Sequence, residues 1–81
     1  MKAYSLAKKT NTDELHLFEG QMTETSCTAA ILSVCEKMNR NKEFAAWEFY
    51  CKKEEEARVL CANKGRKVCG TCVSHLYTTY R

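Results

Sequence analysis

The stretch TETSCTAAILSVCEKMN, residues 23–39, decides how this chain is read. Cys27, Ala30, Ile31, Val34, Cys35 and Met38 recur at i, i+3, i+4, i+7, i+8 and i+11, the spacing of one apolar helix face. Thr23, Thr25 and Ser26 are each able to cap its start. The pattern therefore predicts a helix. It also carries a conflict, because eight residues of helix separate Cys27 from Cys35 by roughly 12 Å. Two sulfurs on one tetrahedral metal lie only about 4 Å apart. A helix throughout this stretch admits at most one of the two as a ligand of a shared ion.

On the N-terminal side, KAYSLAK (2–8) and ELHLF (14–18) alternate apolar and polar residues around the turn chemistry of KTNTD, which predicts a β-hairpin. In its second strand Leu15 and Leu17 share one face and His16 and Phe18 the other. On the C-terminal side, FAAWEFYC (44–51) reads as a buried strand with Trp47, Phe49 and Cys51 on one side. KKEEEARVLCANKG (52–65) reads as a second helix, with Ala57, Leu60 and Cys61 inward, Glu54 paired to Arg58, and Gly65 as the stop. RKVC is then a short strand, CGTC a turn, and VSHLYTTYR a last short helix or extended tail. The order gives an α+β fold, residues 1–81 as a single small domain: an N-terminal β-hairpin, two helices and a short sheet.

At 81 residues the core is modest, and small domains commonly need a disulfide, a metal or a partner subunit. Six cysteines are the candidates. The N-terminus has no apolar core of signal-peptide length, and AAILSV is far too short to span a bilayer, so no membrane role is expected. The expectation is a cytoplasmic protein with reduced thiols, in which cysteines bind metal or catalyse before they bridge. The alternative is an exported chain with three disulfides.

Cys69-Gly70-Thr71-Cys72 has the form of a metal half-site, a turn that aims two thiolates at one ion. Cys27 and Cys35 are the natural second pair, giving Zn(2+) on Cys27, Cys35, Cys69 and Cys72. Cys51 and His75 are the alternative ligands. Cys61 reads as a core residue. His75, and more so His16, read as surface or helix-flank histidines. A dithiol redox role for CGTC is a third possibility, weakened because the chain has no proline and too little sequence follows the motif for a thioredoxin-type unit. No paired carboxylates or phosphate loop suggest an enzyme.

The CGTC turn with a possible helix after it resembles the second half of a treble-clef or zinc-ribbon finger, over roughly residues 66–81 with Cys69 and Cys72 matching. The resemblance implies a zinc-stabilised fold. Small size and a compact cysteine set also resemble accessory proteins of phages and prophages. After Glu56 there is no acidic residue, while Arg58, Lys64, Arg66, Lys67 and Arg81 follow. Arg58, Lys64, Arg66 and Lys67, with Tyr77 and Tyr80, form a candidate surface for nucleic acid, cations on phosphates and tyrosines under bases. The competing expectation is a protein–protein adaptor or an inhibitor of a host protein machine, with the aromatic residues as anchors. Either way the expected role is binding and not catalysis.

Overall fold

The computed structural model describes residues 1–76. Tyr77 and Tyr80 lie outside the described residues. Strands β1 (Lys2–Lys9) and β2 (Leu15–Gln21) form the predicted hairpin, with Leu6 opposite Leu17. Helix α1 (Arg40–Glu43) is a single turn, closed by Asn39 Oδ1 accepting from Asn41 N–H and Glu43 Oε1 accepting from Asn39 N–H. Strand β3 (Phe44–Lys52) returns antiparallel along the other side of β1, giving a three-stranded sheet in the order β2-β1-β3. Helix α2 (Glu54–Lys64) follows, then a 3-10 turn (Gly65–Lys67) and helix α3 (Gly70–Leu76). The fold is α+β, and among the described residues no helix is long and apolar enough to cross a membrane.

Strands β1 and β2 are buried on both faces, by different means, while β3 at the edge has only Phe49 buried. Tyr4, Leu6, Leu15, Leu17 and Phe49 pack against Ala57 and Cys61 of α2, Cys72 and Leu76 of α3, and Val68 and Cys69 between the helices. Ala7 and Phe18 face the other way, onto Met38, with Ala29, Phe44 and Trp47 beside them. The period-2 alternation of β2 puts Leu17 and Phe18 on opposite faces, as the strand pattern demands.

Residues 23–39 are not helical, which corrects the expectation from their apolar spacing. They run as an extended arm along the outer edge of β2. Thr28 N–H donates to Gln21 O (2.8 Å), Ala30 N–H to Glu19 O (2.9 Å) and Val34 N–H to Leu17 O (2.8 Å), and Cys69 N–H completes the row on Leu15 O (2.8 Å). These are the outward carbonyls of every second β2 residue. A helix bonds its own backbone and would leave that edge bare, whereas an arm saturates it. Local chemistry agrees: Thr23 Oγ1 accepts from Ser26 N–H (3.0 Å) and Ser33 Oγ from Met38 N–H (3.2 Å), side-chain bonds that compete with helix formation. Ile31 and Leu32, apolar positions in the helical reading's stretch, are exposed (48% and 46%).

Strand β3 departs from its expected alternation. Its register against β1 shifts between the partners of Tyr4 and Leu6, of Leu6 and Ala7, and of Lys8 and Lys9. Each bulge inserts a residue and flips the faces that follow. Phe49 therefore joins the helix-side core while Trp47 joins the arm side. The predicted RKVC strand reduces to the 3-10 turn and a single parallel bridge from Val68 to Leu15.

Arg40 clamps the arm from its far end. Its Nε donates to Ala30 O (3.1 Å) and its Nη2 to Ala29 O (3.0 Å), and its guanidinium lies 5.6 Å from the centre of the Trp47 ring. Arg40→Ala removes two charge-assisted bonds and the ring contact, and is expected to cost about 2 kcal/mol in urea denaturation. Arg40→Lys, which cannot span both carbonyls, is expected to recover less than half of that.

Candidate metal centre

Beyond the β2 edge the structure gathers His16, Cys35, Cys69 and Cys72, one donor atom of each lying within 4.8 Å of all the others. Three segments supply them. His16 comes from β2, Cys35 from the arm just past its last bond to the strand, and Cys69 and Cys72 from the turn that opens α3. The Cys69 N–H bond to Leu15 O docks the turn, and Leu17 N–H donates to Cys72 Sγ (3.2 Å). The backbone of one strand thus positions candidate ligands from distant parts of the chain.

His16 Nδ1 is the ring nitrogen that faces the sulfurs, 3.2 Å from Cys35 Sγ and 3.8 Å from Cys72 Sγ. Around a tetrahedral zinc the bond lengths imply nitrogen–sulfur edges of about 3.6 Å. Those two distances bracket that value. The other ring nitrogen, Nε2, lies 2.5 Å from Glu14 Oε1. Nε2 is buried and makes no formed hydrogen bond. A carboxylate that accepts from the outer N–H of a ligating histidine fixes the ring and raises its basicity, and Glu14 stands within reach of that role.

The sulfurs differ in setting. Cys72 is fully buried, and desolvation, with the neighbouring Cys35 and Cys69 thiols, raises its pKa far above the ordinary value. Cys35 is half-exposed. Its partial burial opposes ionisation, but bonds from Ser33 Oγ (3.2 Å), the Lys37 backbone, Cys72 and His16 outweigh this and lower the thiol to about 6. Cys61, expected in the core, is buried away from the cluster, and desolvation lifts it to about 11.

Of the four cysteines expected to hold metal, Cys35, Cys69 and Cys72 come together and Cys27 does not. Cys27 is disulfide-bonded to Cys51 across a Cα–Cα distance of 6.2 Å, which also removes Cys51 from the ligand set and corrects the expectation that all six cysteines are thiols. His75 lies apart too, its Nε2 2.8 Å from Glu19 Oε2. His16 takes the place expected of Cys27. The only sequence signal for it was an ionisable residue inside the apolar run Leu15–Phe18, two positions after Glu14.

Among the described residues, the cationic side chains of the C-terminal third lie close to carboxylates. Arg58 is bonded to Glu54 and to Leu76 O (3.0 Å), and Lys64 to Glu48 (2.7 Å). Arg66 and Lys67 are exposed and line a shallow surface with Asp13 and Glu14. The chain matches no family model, no curated protein and no solved structure.

Proposed function

We propose that the chain is a small zinc-binding module in which the metal is structural and the role is binding. The observation that carries this is the convergence of His16 Nδ1 and three cysteine sulfurs from three separate segments on one metal-sized space. A Cys₃His set suits zinc in closed tetrahedral coordination, with no position left for water or substrate. Buried thiols are costly to ionise singly, and a divalent cation at their centre would ionise them together. With the ion in place, α3, the arm and β2 are joined at one point. The Cys69–Cys72 turn opening α3 supports a treble-clef-like reading of the C-terminal part, with a strand and an arm supplying what a second Cys-x-x-Cys turn otherwise would.

The surface supports a protein partner over a nucleic acid. Carboxylates sit beside Arg58, Lys64, Arg66 and Lys67, while Ile31, Leu32 and Val59 are exposed. Nucleic-acid binding predicts a low-salt gel shift whose salt slope falls in Arg66→Ala/Lys67→Ala; its absence is the expected result.

The metal reading is tested by native mass spectrometry of chain expressed with zinc. One zinc per chain is expected, unchanged in Cys61→Ala and lost in Cys69→Ala. Cobalt substitution should give thiolate-to-metal absorption of a tetrahedral site. A metal-free chain with its thiols intact would reject the proposal.

A further inference from the structure

The disulfide and the metal centre share the arm. Cys27 stands at its start, eight positions before Cys35, and the bridge ties that start to Cys51 at the end of β3. Between bridge and ligand, the arm is held by the Thr28, Ala30 and Val34 bonds to β2, by Arg40 on Ala29 and Ala30, and by Tyr50 Oη donating to Cys27 O (3.0 Å). Of the four donors, Cys35 is the one whose place depends on this arm. Cys51 itself sits in the left-handed region at φ 60, which a cysteine does not favour, with its N–H on Ser5 Oγ (2.9 Å). That residue lies where the β1–β3 register shifts, and the bridge is one of the ties that hold the arm at its root.

We propose that the Cys27–Cys51 disulfide is a redox latch on the metal centre: bridged, the arm presents Cys35 and the ion is held; reduced, the arm loosens and the ion is held more weakly. This rests on the metal reading above. Chemistry makes the latch selective. Cys27 and Cys51 are half-buried, within reach of a reductant, and theirs is the S–S bond that a thiolate attacks, whereas Cys35, Cys69 and Cys72 are free thiols. The step is ordinary exchange. One thiolate of a dithiol reductant attacks a bridge sulfur, the S–S bond breaks, and the departing thiolate takes a proton. The second thiol of the reductant then closes on the first, leaving two cysteine thiols and an oxidised dithiol, two electrons having moved.

The test is a zinc competition titration of the full chain against a chromophoric chelator. It compares oxidised wild type, wild type reduced with a phosphine that does not bind zinc, and Cys27→Ser/Cys51→Ser without reductant. Reduced wild type and the double variant are expected to hold zinc about 10- to 100-fold more weakly than oxidised wild type, the range typical of losing support around a ligand. The phosphine should change nothing further in the double variant. Amide hydrogen exchange separates a loosened arm from an unfolded chain: protection should fall at Thr28, Ala30 and Val34 and persist across β1 and β2. Equal zinc affinity in all three samples, or exchange that rises uniformly, overturns the latch while leaving the metal site standing. No stoichiometric zinc in any sample overturns both.

Discussion

Cys72→Ala is expected to lower the melting temperature of the zinc-loaded chain by more than 20 °C and to abolish stoichiometric zinc, whereas Cys61→Ala should do neither. The two cysteines are both buried and both lose one sulfur, so packing alone predicts similar costs of about 1–2 kcal/mol. A zinc ion held on Cys72, as proposed, would break that symmetry. Structural zinc in small finger peptides contributes about 10–16 kcal/mol at neutral pH, as much as the whole stability of an ordinary domain, about 5–15 kcal/mol. Even a loss of about 4 kcal/mol would shift a domain of this size by some 16–32 °C. Chelation of the wild type should reproduce the Cys72→Ala melting curve. Acid should do so too, because imidazole and thiolates must lose protons to bind; zinc stability is present at neutral pH and lost as pH falls. Differential scanning calorimetry of the two variants, with and without chelator, decides it. Equal, small effects from both substitutions would make Cys72 a core residue like Cys61.

That contrast between two buried cysteines was partly legible in the sequence. The Cys69–Cys72 turn announced itself because a local motif encodes its own geometry, and Cys61 read as core because it lies on the inward face of a helix marked by Glu54–Arg58 and by Gly65, whose N–H closes on Ala62 O and Cys61 O at φ 66. The hairpin was legible for the same reason, its alternation matching the pleat. What stayed hidden was decided by contacts distant along the chain. His16 and Cys72 meet across 56 residues, and Cys27 and Cys51 across 24. The spacing of residues 27–38 satisfies a helix formally, yet a strand-like arm saturates carbonyls on the β2 edge that a helix would leave bare. The mismatch first visible in the sequence, a helix too long to bring Cys27 and Cys35 to one ion, came from both premises at once. The stretch is not helical, and Cys27 is not a ligand.

Gly20→Ala is expected to destabilise the chain by about 3–5 kcal/mol, and it tests the arm directly. Nothing about the backbone at Gly20 requires glycine, since Gly65 is the glycine with positive φ. In an isolated hairpin the substitution should be neutral or stabilise by about 0.4–1 kcal/mol through the unfolded chain. In this fold a Cβ there would stand 1.8 Å from Thr28 O, 2.6 Å from Thr28 C and 2.9 Å from the Ala29 Cα. The obstacle is backbone, which cannot swing aside as a side chain does. Overpacking costs about 1–3 kcal/mol, and displacing the arm also loosens the Thr28 and Ala30 bonds to β2, each contributing about 1 kcal/mol. Gly70→Ala is the matched control, because a Cβ at Gly70 meets nothing within 4 Å and alanine suits the start of α3. Urea denaturation should therefore separate the two glycines by several kcal/mol. The Gly20→Ala chain should also hold zinc less tightly, because the displaced segment leads to Cys35. A neutral Gly20→Ala would mean that residues 23–39 lie off the β2 edge, as they would if they formed the helix their spacing suggests.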